Sequence, residues 1–290
     1  MRVALGDGVE LFVDVDGPEL VPEGPRMRRR PTLILLHGGP GMDHSAFKCD
    51  LAELSQVAQL VYIDHRANGR SDDGPRRAWN LAQWGDDVRT VCDVLGIERP
   101  VVMGQSFGGF VAQSYATRHP EHPSALILSS TSPRKNLPRN LAVFERLGGE
   151  KARDTAETFY ADPVAEKFGD FLRDCMSLYN RRFSDPGGMQ RSVLRGEVLF
   201  NFFQHEYGEF DFLPELGKVR CPTLVLGGED DPTTPIEDQE DIAAALPSEL
   251  VEFHRFADCG HGAYRDVPEM AMPILRAFIQ RCAPAGGEAS

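Results

Sequence analysis

Gly104-Gln105-Ser106-Phe107-Gly108 stands between the apolar run Val101–Met103 and a helix-like stretch, Gly108–Arg118. A G-x-S-x-G pentapeptide at a strand-to-helix junction turns sharply and lifts its serine hydroxyl clear of the sheet. Serine is a weak nucleophile at neutral pH, so this display calls for a histidine base and a carboxylate that fixes the imidazole tautomer. Both candidates follow in the chain. The run Thr223–Leu226 ends in GGEDDPTTP, residues 227–235, which supplies Asp231, with Asp230 as its alternative. Near the C-terminus, Ala257-Asp258-Cys259-Gly260-His261-Gly262 sets His261 in a glycine-flanked loop. His44, His119, His122, His205 and His254 fall in helical, turn or strand-like segments and read as structural or solvated.

A tetrahedral intermediate also needs two N–H donors for its oxyanion. The loop His37-Gly38-Gly39-Pro40-Gly41 follows the apolar run Thr32–Leu36 and offers one at Gly39. The start of the helix after the serine offers the other at Phe107. A phosphate-cradling role for this loop fits poorly, because Pro40 removes a donor and no Gly-Lys-Ser/Thr follows. His37 reads as shaping the loop. Six cysteines without a C-x-x-C pair argue against a zinc site, and the chemistry requires neither metal nor organic cofactor.

These loops need a frame. Six short, nearly continuous apolar runs (Thr32–Leu36, Leu60–Ile63, Val101–Met103, Ala125–Leu128, Thr223–Leu226 and Leu250–Phe253) read as strands buried on both faces, the pattern of a parallel sheet covered by helices. A hairpin pattern, Val3–Leu5 then Val9–Val15, precedes them. Helix-length segments lie between: His44–Ser55, Trp79–Leu95, Gly108–Arg118, Pro235–Leu246 and Pro268–Arg281. The predicted class is α/β, with a mostly parallel eight-stranded sheet. The interval from Leu128 to Thr223 is far longer than one crossover needs. Its charged and aromatic content predicts an inserted helical cap at 133–214, leaving 1–132 and 215–290 as the core domain. Ligands of open α/β sheets bind beyond the carboxyl ends of the strands, so such a cap would enclose the site.

The chain of 290 residues carries a formal charge of −13, which disfavours nucleic acid and anionic membrane surfaces as partners. Its only basic cluster, Arg26 and Arg28–Arg30 among prolines and Gly24, reads as a solvated loop. No apolar stretch approaches the roughly 20 residues of a spanning helix, and the N-terminus lacks the apolar core of a secretion signal. A cytoplasmic protein with reduced, mostly buried thiols and a small-molecule or short-peptide substrate is expected.

Taken together, HGGPG at 37–41, DHRANGRS at 64–71, GQSFGG at 104–109, GGEDDPTTP at 227–235 and CGHG at 259–262 resemble the α/β-hydrolase superfamily, and within it the proline iminopeptidase group. The resemblance spans nearly the whole chain. It implies a Ser106, Asp231, His261 triad, the acid being chosen by its spacing to Pro235. It also implies an aminopeptidase releasing an N-terminal residue. Three departures bear on substrate: Ala67 replaces the first glycine of the family's Asp-x-Arg-Gly segment, Phe107 stands where the peptidases carry tryptophan, and the inserted segment has no tryptophan. Glu197 is then the candidate to grip a substrate amine, ahead of Glu206 and Glu209. A hydrolase or acyltransferase acting on a small ester, lactone or amide is the alternative.

Overall fold

The computed structural model describes residues 1–182 and 187–282. Among the described residues ten strands run in chain order: β1 (Arg2–Ala4), β2 (Glu10–Asp16), β3 (Leu20–Glu23), β4 (Arg26–Arg29), β5 (Thr32–Leu36), β6 (Gln59–Ile63), β7 (Val101–Gln105), β8 (Ala125–Ser129), β9 (Thr223–Gly228) and β10 (Val251–Phe256). Eight of them form one sheet in the order β1-β2-β6-β5-β7-β8-β9-β10. The six strands from β6 to β10 pair in parallel, while β1 and β2 are the antiparallel edge. The inner strands are apolar on both faces because both faces are covered. Ile34, Leu36, Val61 and Val102 pack on the side of the helices Leu81–Leu95 and Phe107–Arg118. Leu33, Leu35, Leu60 and Met103 pack on the side of Phe47 and the helix Pro268–Arg281. Each such side chain contributes about 1.5–3 kcal/mol relative to exposure.

This order positions the site. From β5 the chain moves to β6 on one side and returns at β7 on the other, so the strand order reverses between β5 and β7. At such a switch point the loops leaving the carboxyl ends diverge and open a crevice. The HGGPG loop leaves β5 there and the serine turn leaves β7.

Two local expectations are corrected. The basic cluster is no loop: Arg26–Arg29 is the second strand of a hairpin with Leu20–Glu23, closed by a turn in which Gly24 has φ 62°. Both outer strands face water, and Arg28 and Arg29 pair with Glu23 and Glu19. The segment His44–Ser55 is not one helix but three short turns, His44–Ala46, Phe47–Asp50 and Ala52–Gln56. Leu51, at φ −111° and ψ 0°, interrupts the helical path while burying its side chain.

Between β8 and β9 the described residues are helical or irregular: Leu137–Ala161, broken at Gly149 (φ 74°), then Ala165–Asp174, Gly188–Arg191, Gly196–His205 and Leu213–Leu216. Residues 183–186 of the expected 133–214 insertion lie outside the described residues. The segment's entry and exit meet, since Phe212 N–H donates to Pro133 O at 2.9 Å and Arg134 bridges Asp211. Its aromatic side chains, among them Phe144, Phe159, Phe171 and Phe202, pack into the same apolar cluster as the sheet. No helix among the described residues is long and apolar enough to cross a membrane.

Candidate active site

Ser106 joins β7 to the helix Phe107–Arg118 in a conformation, φ 56° and ψ −119°, that L-residues rarely adopt. Strain of this kind costs of order 1–3 kcal/mol and persists only where the surroundings enforce it. They do so here by crowding. A Cβ on Gly104 would meet Gly108 O at 2.2 Å, and one on Gly108 would meet Leu36 O at 2.0 Å. The turn is also tied to β8, with Ser106 N–H donating to Ser129 O at 3.0 Å and Thr131 Oγ1 donating to Ser106 O at 2.9 Å. Among the described residues the Ser106 hydroxyl makes no hydrogen bond, an arrangement that often tightens only when substrate binds.

The HGGPG loop lies against this serine: a Cβ on Gly38 would sit 3.5 Å from Ser106 Cβ. Gly39 has φ 126° and precedes a cis peptide to Pro40. Among the described residues neither Gly39 N–H nor Phe107 N–H has an acceptor. Phe107 is also the first residue of a twelve-residue helix, where free N–H groups and the helix dipole both favour negative charge. The loop is shaped by its histidine. His37 Nδ1 donates to Gly38 O at 2.7 Å, which leaves Nε2 to accept from His65 N–H at 3.2 Å. On the facing loop, Ala67 holds φ 64°, so the position that resembles a family glycine keeps glycine's backbone conformation without glycine.

Asp231 and His261 are brought together, with Nδ1 of the imidazole 2.8 Å from Oδ2 of the carboxylate. Asp231 is fully buried and richly hydrogen-bonded. Its Oδ1 accepts from the N–H groups of Thr233 and Thr234, each at 2.9 Å, and its Oδ2 accepts from Thr234 Oγ1 at 2.7 Å. Burial pushes this carboxyl upward, but the charge of His261 and these hydrogen bonds together hold it below its ordinary value. An ionised acceptor on that side puts the imidazole proton on Nδ1 and leaves Nε2 free to act as a base. The histidine loop is held by the inserted segment, because His261 N–H donates to Tyr179 O at 2.6 Å and Asn180 Nδ2 donates to His261 O at 2.7 Å. The same loop abuts the serine turn: a Cβ on Gly262 would lie 3.6 Å from Gln105 Nε2. Asp230 points elsewhere, into ion pairs with Arg146 and Arg181.

Glu197 sits in the first turn of the helix Gly196–His205, half exposed, with Oε2 2.9 Å from Arg76. Glu206 Oε2 accepts from Leu81 N–H at 3.2 Å and so caps another helix. The buried side chains packed beside His261 are aromatic. Successive ring contacts run from His261 to Tyr179 (5.5 Å between centroids), Phe171 (6.3 Å), Tyr160 (5.8 Å), Tyr207 (5.8 Å), Phe202 (6.1 Å) and Phe107 (5.2 Å). Burial drives the Tyr160 and Tyr179 phenols well above their ordinary value, so they remain neutral. The sequence motifs assign no role to Thr233, Thr234 or Tyr179. For the threonines, their place two and three residues after the acid is a usable signal.

The pattern of strand-end loops finds its counterpart in known proteins. A family model described as alpha/beta hydrolase fold matches residues 31–266. The chain belongs to the α/β hydrolase fold family. Among relatives, this α/β hydrolase is 26% identical over 281 residues to a proline iminopeptidase of Lactobacillus helveticus, covering 87% of this chain and 90% of the relative. It is 27% identical over 297 residues to a bifunctional esterase/perhydrolase of Acinetobacter calcoaceticus, covering 96% and 99%. Among solved structures, the proline iminopeptidase of Mycobacterium smegmatis superposes with a TM-score of 0.77 at 24% identity over 97% of this chain and 98% of that one.

Proposed function

We propose that this α/β hydrolase cleaves a carboxylic ester or amide through an acyl-enzyme on Ser106. The observation that carries the reading is the buried Asp231–His261 pair at 2.8 Å beside a strained serine turn. Ser106 Oγ attacks the carbonyl carbon while His261 Nε2 takes its proton. The oxyanion is received by the N–H groups of Gly39 and Phe107. Collapse expels the alkoxide or amine, protonated by His261, and leaves the acyl ester. Water then attacks that ester, its proton passing to His261, and the acid departs as Ser106 recovers its hydrogen. The segment 133–214 serves as a cap over this site.

For substrate, likeness to the iminopeptidases supports release of an N-terminal residue, with Glu197 as the group that would meet the free amine. A second reading rests on a specific observation: Glu197 is engaged by Arg76 at the surface, while the buried side chains running from His261 to Phe107 are aromatic. An ammonium group would lose its hydration there, and the Asp231 carboxylate is already engaged by His261, Thr233 and Thr234, so these surroundings favour uncharged acyl groups in esters, lactones or amides.

One set of assays tests both layers. A fluorophosphonate should label wild-type protein at Ser106, and Ser106→Ala should fold yet lose turnover; retained turnover would overturn the acyl-enzyme. Comparing kcat/KM for a prolyl arylamide with that for p-nitrophenyl butyrate decides the substrate, the faster class identifying the correct reading.

A further inference from the structure

The oxyanion loop is gripped from two directions, and one grip comes from the inserted segment. On one side Asn68 Oδ1 accepts the Gly41 N–H at 2.6 Å. On the other, Arg195 N–H donates to Gly41 O at 2.7 Å. The approach is so close that a Cβ on Gly41 would meet Arg195 O at 2.5 Å. Arg195 is itself anchored by its side chain to the loop after β6: Nε donates to Gly69 O at 3.0 Å, one terminal nitrogen to Ser71 O at 3.1 Å, and the other pairs with Asp73. Neighbouring contacts point the same way. Val193 N–H donates to buried Asp43 at 2.9 Å, and Arg70 joins Asp43 to Arg191 O.

We propose that Arg195 is a positioning residue for the oxyanion hole, locking the inserted segment to the Gly41 peptide and thereby holding Gly39, two residues upstream, with its N–H directed at the reacting carbonyl. The proposal rests on the acyl-enzyme reading of Ser106. Its physical basis is that oxyanion stabilisation depends on donors fixed in advance of the reaction. The guanidinium makes three bonds in one plane, so it fixes the direction from which the Arg195 backbone reaches Gly41. No side chain of the strap from 191 to 195 is asked to touch substrate.

The test uses p-nitrophenyl butyrate kinetics together with the affinity of butaneboronic acid, whose tetrahedral serine adduct needs the oxyanion donors. Removing a whole oxyanion donor costs about 100-fold or more in kcat; Arg195→Ala, which only loosens one, should lower kcat about tenfold, leave KM within about threefold, and weaken the boronate in step with kcat. Asp73→Asn, which removes the exposed ion pair alone, should shift the same two quantities in the same direction by less. If Arg195→Ala does not fold, Arg195→Gln and Asp73→Asn carry the comparison. Folded variants with wild-type kcat and boronate affinity, or with a loss confined to KM, overturn the proposal. Wild-type protein that fails to react with a fluorophosphonate overturns the serine assignment and this proposal with it. A reactive wild type with unaffected variants overturns the latch alone.

Discussion

His65 donates its backbone N–H to Nε2 of His37, the first residue of the loop 37–41, and the two rings lie 4.5 Å apart between centroids. Protonating His37 would put a hydrogen on Nε2 where an acceptor is required. Burial lowers both imidazoles below their ordinary value, and for His65 the neighbouring His37 adds to the effect. Buried His122 shifts the same way, also chiefly through burial. The unfolded chain therefore binds protons that the folded one refuses. The stability these groups contribute is complete above their unfolded value of about 6.5 and is lost as pH falls through their lower folded values. Thermal melts should show the midpoint declining between about pH 6.5 and 5; a flat midpoint across that window would contradict the argument.

The Asp231–His261 pair predicts a catalytic effect separable from stability. Asp231→Asn presents an amide that can donate to Nδ1, which favours the wrong imidazole tautomer. A comparable exchange in serine proteases costs about 10⁴-fold in kcat, and a loss of that order is expected in ester or amide turnover. Asp230→Asn, which only releases Arg146 and Arg181, should change kcat little. A larger loss for the 230 variant would reverse the assignment.

Crowding at the serine turn predicts opposite outcomes for two glycines. Gly108→Ala drives a methyl to within 2.0 Å of Leu36 O, so the backbone must yield. Urea unfolding should report a loss of about 1–3 kcal/mol or more, together with reduced turnover. Gly169 lies in the helix Ala165–Asp174 with nothing within 4 Å of its would-be Cβ. Gly169→Ala should gain about 0.5–1 kcal/mol from helix propensity alone.

Arg66, wholly buried, is held by Asp87 through two bonds of 2.8 and 2.7 Å. Asp87→Ala strands this cation in the core, leaving it Asp7 at 2.9 Å. Removing one member of a buried pair typically costs about 3–5 kcal/mol, and chemical denaturation should find a loss in that range. A change under about 1 kcal/mol would mean that water reaches Arg66.

The sheet was legible because strands buried on both faces leave unbroken apolar runs, and Val101–Met103 and Thr223–Leu226 needed only their ends extended, to Gln105 and Gly228. The loops bearing Ser106, Asp231 and His261 were legible because glycines punctuate them at those strand ends. Long-range pairings were not. Nothing near Glu197 in the sequence announces Arg76, 121 residues away, and a carboxylate in a first helical turn reads the same whether it faces a cavity or water. The region His44–Ser55 has helical spacing, yet the need to bury Phe47, Leu51 and Leu54 beneath the sheet breaks it into turns. Arg26–Arg29 forms a strand because Leu20–Glu23 is there to pair with it, a partnership that charge and proline content concealed.

Because Pro133 and Phe212 are hydrogen-bonded neighbours, the chain departs from the sheet after β8 and comes back to it before β9 at one place. A stretch of another length or composition, spliced at the same two points, would leave the strand pairings of β8 and β9 unaltered, but it would have to restore the hold of Tyr179 on His261 and of Arg195 on Gly41. Variation of this segment is thus bounded by those two contacts more than by the sheet beneath it.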